Sequence, residues 1–253
     1  MCIAVWTLDH PDYALILGNN RDEFLDRPTQ NAHWHSFDQS LHDDDGGNIL
    51  SGRDEQAGGS WFGVNKAGRV ALLTNITEPL GHYKSTRGYL ISSFLQSEHA
   101  IDDFTAVLQD LQHQEQQEDL EAAATNKNAK GDKPDSPPKA PAKADLESKL
   151  VNGLFQVLSW RCSGSISSRS ELRNTVQVAP IPPGVSKTHT TESKVYGTRT
   201  TTVLLIKRNG DVYFVERDIW KRGADGSVVH VDPPTQREFR FKLDIDAIRK
   251  PEA

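Results

Sequence analysis

Cys2-Ile3-Ala4-Val5-Trp6-Thr7-Leu8, Asp9-His10-Pro11-Asp12, Tyr13-Ala14-Leu15-Ile16-Leu17-Gly18 and Asn19-Asn20-Arg21-Asp22-Glu23-Phe24 follow one another without a break. The first and third segments are apolar runs of strand length, and the second consists of turn formers, so the chain opens on a β-hairpin. Pairing two strands of similar length around a short turn brings their outer ends together. The polar string Asn19 to Phe24, read as following the second strand, therefore belongs beside Cys2. A thiol, two amides, an arginine and two acids are gathered at one end of a hairpin.

Further along, Ser60 to Val64 and Val70 to Thr74 form a second hairpin around Asn65-Lys66-Ala67-Gly68-Arg69, and Thr200 to Lys207 with Asp211 to Glu216 form a third around Asn209-Gly210. Asn-Gly is the strongest of these signals, because both residues tolerate the positive φ that a two-residue turn demands. After Arg87-Gly88 the period changes. Leu90, Ile91, Phe94 and Leu95, then Ile101, Phe104, Val107, Leu108 and Leu111, recur at three- and four-residue spacing and imply helix. Residues 112–148 lose their apolar content to Gln, Glu, Lys, Ala, Asp and Pro, a composition that cannot repay the entropy of ordering and reads as a disordered insertion. Strand signals resume at Val151 to Trp160, and the C-terminal tail is polar and weakly patterned. The order of strands, helices and strands gives an α+β layered domain spanning 1–253.

Composition narrows the function. With 29 Lys and Arg against 35 Asp and Glu, the net charge is −6 and the basic residues are scattered, so no nucleic-acid footprint exists. Two cysteines, Cys2 and Cys162, are too few for a disulfide framework and fit a reducing compartment. The N-terminus lacks the basic flank of a secretory signal, and no apolar run has the length of a membrane span. The expectation is a cytoplasmic, non-secreted protein whose membrane contacts are peripheral.

Cys2 carries the first candidate chemistry. Removal of Met1 would leave a thiol and a free α-amine on one residue, and an amine with a pKa of roughly 7.7–8.0 can serve as proton acceptor for its own side chain. The bland reading is a small buried residue opening a strand. Arg21 could lower the thiol pKa or hold a carboxylate bidentately, and its bland counterpart is an ion pair with a neighbouring acid. His33 and His35 around Trp34, with His42 before Asp43-Asp44-Asp45, look like metal ligands but lack the spacing of a zinc site, and read as a solvated loop. Gly58-Gly59 lacks the lysine and helix of a phosphate-binding loop and reads as a tight entry into a strand.

The string Asn20-Arg21-Asp22-Glu23 resembles the signature of the NRDE family, the transport-and-Golgi-organisation group. Met1-Cys2, Arg27-Pro28, Ile49-Leu50-Ser51-Gly52-Arg53-Asp54, Gly58-Gly59-Ser60-Trp61-Phe62-Gly63-Val64, Leu73-Thr74-Asn75, Arg87-Gly88, Asn152-Gly153 and Tyr196-Gly197-Thr198-Arg199-Thr200 agree with it in order. The resemblance implies a layered αββα sandwich of mainly antiparallel strands, similar to amidohydrolases that use their N-terminal residue as nucleophile. Carried over by position, it implies Cys2 as nucleophile, Asp22 holding its α-amine, Arg199 stabilising charge near the thiol, and Asn75 donating its amide to an oxyanion. Those hydrolases place an arginine three residues before the aspartate, where this chain has Asn19. In the segment 163–191 the chain also departs from the Leu-Ser-Asn and Pro-Trp blocks of its relatives.

Two functions follow from the resemblance. The family is associated with Golgi organisation and secretion, with haem mobilisation, and with lipid or acyl-coenzyme A homeostasis around mitochondria. This implies a binding protein that needs no cofactor and takes an anionic amphiphile, either haem as a transported ligand or an acyl-coenzyme A-like molecule. Arg21, Asn20, Asn19 and Trp61 would line its site, with Trp6 and Phe62 as further apolar wall. The alternative is an active N-terminal cysteine amidohydrolase cleaving a C–N amide bond.

Overall fold

The computed structural model describes residues 2–37, 46–74, 86–97, 143–164, 166, 169–181 and 194–244. The chain divides into two compact units, one comprising Met1–Gln96 with Glu147–Ala253 and the other Ser97–Leu146. The first unit holds both of the large β-sheets.

The opening hairpin forms as the pattern requires: β1 (Ile3–Thr7) pairs antiparallel with β2 (Tyr13–Phe24). The second strand does not stop at Gly18, however. It runs through Asn19-Asn20-Arg21-Asp22-Glu23-Phe24, because β7 (Tyr196–Lys207) supplies a partner over its whole length. A strand paired to a long neighbour tolerates polar residues that local propensity would assign to a turn. Completed by β8 (Asp211–Asp218) and β11 (Gln236–Lys242), this sheet has the order β1-β2-β7-β8-β11. A second sheet has the order β3-β4-β5-β6, built from Thr29–His35, Ile49–Asp54, Phe62–Asn65 and Val70–Leu72. A short hairpin, β9 (Trp220–Arg222) with β10 (Val228–His230), forms a separate two-stranded sheet.

The main core is the seam between the sheets. Leu17, Leu204, Ile206, Val212 and Phe214 from the first meet Ala32, Leu50, Phe62 and Val64 from the second, and Phe62 stacks on Phe214 with ring centres 5.8 Å apart. The opposite face of the first sheet presents Tyr13, Ile16, Val203, Leu205 and Val215 to α2 (Lys143–Leu158), which contributes Val151, Phe155 and Leu158. The outer face of the second sheet packs Ile49 and Ala71 against Ile91 and Leu95 of α1 (Gly88–Gln96). The result is an α+β, sandwich-like arrangement with helix outside each sheet and mainly antiparallel strands.

Several expectations need correction. Val151 to Trp160 is not a strand: Val151, Leu154, Phe155 and Leu158 fall at i, i+3, i+4 and i+7, and this face buries as helix against the sheet. Lys143 to Ser148, read as part of the insertion, belong to the same helix, whereas 112–142 lie outside the described residues, as does the periodic run 101–111. His33 and His35 are in strand β3 rather than a loop, and His35 is buried with its Nε2 2.8 Å from the Ser51 hydroxyl. His42 lies outside the described residues. The weakly patterned tail contains β11, whose alternate Phe239 and Phe241 cover the edge of the seam.

One buried charge ties the two sheets together. Glu216 of β8, fully buried, accepts the backbone N–H of Ala32 in β3 at 2.9 Å and the Arg237 Nε at 3.0 Å. Arg237 also reaches Asp218. Glu216→Ala would leave the Ala32 N–H dry and part of the Arg237 charge unmatched, so urea unfolding is expected to show a loss of about 3 kcal/mol. Glu216→Leu, which fills the space without the bond, is expected to lose nearly as much. Retention of full stability in both variants would mean that this inter-sheet link carries no weight.

Candidate functional site

Antiparallel pairing sorts the residues of β2 onto two faces. Leu17 points into the seam between the sheets and Ile16 toward α2. Alternation then assigns Asn19 and Arg21 to the seam and Asn20 and Asp22 to the helix side. The partners across β7 are Thr202 for Asn19, Thr201 for Asn20 and Thr200 for Arg21, and an irregularity between Arg21 and Asp22 leaves Arg199 without a cross-strand partner before Asp22 meets Thr198.

Asn20 is structural. Its Nδ2 donates to the carbonyls of Leu158 at 2.8 Å and Val176 at 2.9 Å, while its Oδ1 accepts from the Thr201 hydroxyl at 2.6 Å. Both amide donors are spent, which removes it from the set of ligand-binding groups expected from the sequence.

Arg21 is different. Its side chain is 4% exposed, its guanidinium centre sits 3.5 Å over the Trp61 ring, and no hydrogen bond or ion pair among the described residues reaches it. Burial, followed by the neighbouring Arg199 charge, lowers its pKa from 12.5 to about 10, so it remains a cation at neutral pH. A guanidinium stacked on an aromatic face keeps its in-plane N–H donors directed outward. Two glycines allow the stack. A Cβ on Gly52 would come within 2.5 Å of the Trp61 ring, and one on Gly59 within 2.4 Å of the Gly88 backbone, where the segment leading to Trp61 abuts the start of α1. Gly52 thus leaves room for the Trp61 ring, and the Gly59–Gly88 contact holds the segment that leads to it.

Cys2, one residue before β1, continues the register to a position across from Arg21. It is buried, and its Sγ lies 3.8 Å from the Asp22 carbonyl oxygen, which also accepts the Tyr196 hydroxyl at 3.1 Å. Burial raises the thiol pKa, aided by the Asp22 charge and opposed by the N-terminal ammonium and Arg21. The thiol is therefore protonated at neutral pH.

Asp22 accepts a 2.5 Å hydrogen bond from Thr198 and is almost fully buried. Desolvation lifts its pKa from 3.8 to about 6 against the pull of the N-terminal ammonium and the Thr198 hydroxyl. Arg199 does not face the thiol with a free guanidinium, for its Nη1 donates to the carbonyls of Phe24 (3.3 Å) and Arg27. It fixes the turn between β2 and β3, which Arg27 locks further through Asp54 at 2.7 Å. Asn75 lies outside the described residues, Phe62 belongs to the core, and Trp6 is 62% exposed on the edge strand rather than lining the site. Sequence reasoning missed Thr198 and Thr200. Their alternation in Thr198-Arg199-Thr200-Thr201-Thr202 was the available signal.

The raised pKa of Asp22 fixes the sign of a pH effect. Between about 4 and 6 the folded protein binds a proton that the unfolded chain has released, so this group's contribution to stability falls as pH rises through that window. Asp22→Asn keeps the acceptor for Thr198 without the charge. Relative to the parent, it is expected to gain roughly 2–3 kcal/mol between pH 4 and pH 7.5 in paired urea titrations. A difference that does not change with pH would show that Asp22 is ionised with its ordinary affinity.

Comparison with known proteins identifies the chain's relatives. An uncharacterised protein of Saccharomyces cerevisiae is 25% identical over 96% of this chain and all of its own length. The Transport and Golgi organization protein 2 homologues of Bos taurus and Homo sapiens are 36% and 34% identical over 39% of this chain, a match covering 36% of each of those proteins. The family described as Transport and Golgi organisation 2 matches residues 1–130 and 114–221, and with the Asn20-Arg21-Asp22-Glu23 string paired along its whole length to β7, this chain belongs to that family.

Proposed function

We propose that the chain binds an anionic amphiphile, with Arg21 taking the anionic head and Trp61 forming the floor beneath it. The observation that carries this reading is a nearly buried guanidinium whose donors meet no acceptor among the described residues. Burying such a cation is unfavourable unless a partner compensates it, and a carboxylate or phosphate is the geometric match for its planar fork. The NRDE resemblance supports haem propionates or the acyl and phosphate groups of an acyl-coenzyme A as the class of head, in a role related to Golgi organisation or transport. The αββα layering fits the N-terminal-nucleophile scaffold implied by that resemblance, used here to hold rather than to cleave.

The test is thermal unfolding with haem, palmitoyl-coenzyme A and octanoate, and with methyl octanoate as a neutral control. A ligand present at a hundred times its Kd is expected to raise Tm by roughly 5 °C or more. Arg21→Met, which retains the apolar stem and stacks on Trp61, is expected to abolish that shift while folding normally. Equal protection by octanoate and its methyl ester, or by none of the four, would refute the reading.

A second reading, amide hydrolysis by Cys2, rests on the buried Asp22, whose backbone carbonyl lies 3.8 Å from the Cys2 Sγ. The buried, protonated thiol weighs against it. Cys162 is the more accessible thiol, and a thiol-directed electrophile is expected to label it at least several-fold faster than Cys2. Rapid and selective labelling of Cys2 in intact-mass measurements would reverse the order of the two readings.

A further inference from the structure

Around Arg21, the seam face of β2 and β7 carries two more polar atoms whose chemistry is specific. Asn19 is 1% exposed, and its Nδ2 is committed to the carbonyls of Ile3 at 3.0 Å and Asn20 at 3.3 Å. The assignment of its amide is fixed by those two acceptors, since the opposite orientation would set oxygen against oxygen. Its Oδ1 is buried and has no hydrogen-bond partner among the described residues. Thr200, directly across from Arg21, likewise has a buried Oγ1 with no partner among them. Asn19 and Arg21 lie two residues apart on one face, or about 7 Å along the strand.

These three groups do not ask for the same thing. Arg21 offers only donors, Thr200 can donate or accept, and the Asn19 Oδ1 can only accept. An ionised carboxylate or phosphate satisfies Arg21 and Thr200 but repels the Asn19 oxygen. That atom needs an O–H or N–H.

Building on the anion-binding reading, we infer that the ligand is a hydroxylated acid, whose carboxylate meets Arg21 and Thr200 while a hydroxyl one or two carbons away donates to Asn19 Oδ1. The acid and its hydroxyl then form one polar head that fills the end of the seam, and the apolar remainder of the molecule lies beyond it. A plain fatty acid fits the cation but leaves a dry acceptor. This makes Asn19 a specificity residue.

Calorimetric titration of the full chain with octanoate, 2-hydroxyoctanoate, 3-hydroxyoctanoate and 3-methoxyoctanoate separates the terms. A hydroxyl that pairs with a buried acceptor is expected to tighten binding on the order of tenfold over octanoate. The methoxy compound keeps the oxygen but loses the donor, and is expected to bind no better than octanoate. Asn19→Leu is expected to erase the preference, so that the hydroxy acids bind no better than octanoate. If that variant does not fold, the hydroxy–methoxy comparison decides alone. Hydroxy acids and octanoate binding within twofold of each other would overturn the inference, a water serving Asn19 instead, while leaving the anion site standing. Failure of all four acids to bind would remove the anion site and this inference together.

Discussion

The pairing of β2 with β7 is the constraint on which the rest depends. These strands are far apart in the chain, yet their register decides which residues of Asn19-Asn20-Arg21-Asp22 enter the seam and which face α2. A slip of one residue would exchange the two sets, placing a guanidinium against Leu158 and an already committed amide against Trp61. The three hydrogen bonds of Asn20 oppose that slip. They join β2 to β7, to the end of α2 and to the Val176 loop at once, and each would be lost inside a buried environment if the register moved. The family's naming string therefore divides by position: its asparagine holds the register that allows its arginine to face the seam.

How much of this was legible in the sequence depends on whether the deciding interaction was local. The hairpins at Asn65 to Arg69 and Asn209-Gly210 were readable because Gly68 and Gly210 adopt positive φ in the turns themselves. The helical α2 was not readable from propensity, since Val151 and Phe155 suit a strand as well as a helix, and only their spacing against the sheet favours helix. β3 carries His33 and His35, which look solvated until Ser51 and the neighbouring rings bury the second of them. Of the site, Cys2, Asn19, Arg21 and Trp61 were legible as a neighbourhood from the hairpin and the family resemblance. The division of labour between Asn19 and Asn20 was not, because it depends on which carbonyls lie across from each, and those belong to distant segments.

Arg21 and Arg199 show how position sets the use of a charge. Arg199 lies where the strand pairing is irregular, and its guanidinium is consumed by the carbonyls of Phe24 and Arg27. Arg27 is neutralised by Asp54. Both stabilise the turn between β2 and β3 and contribute to the field only at a distance. Arg21 has no such partner among the described residues, and the nearby Arg199 makes its own charge more costly. Two like charges close together in a poorly hydrated place favour the arrival of an anion from outside.

That energetic imbalance is the argument for function. A framework role for Arg21 would be better served by Leu or Met, which would fill the same volume over Trp61 without desolvating a charge, and buried charges replaced by apolar groups commonly leave a protein as stable or more so. The surroundings have been shaped instead to admit the cation. Gly52 clears the Trp61 ring, Gly59 and Gly88 pack backbone to backbone beside it, and the ring, itself part of the core cluster, stacks under the guanidinium. Thr200 and Asn19 then present oxygen where an apolar seam would present methyl groups. Each departure costs some stability when taken alone. Together they set a cation, a hydroxyl and an amide oxygen on one face of the seam, which is what the proposed head group would meet.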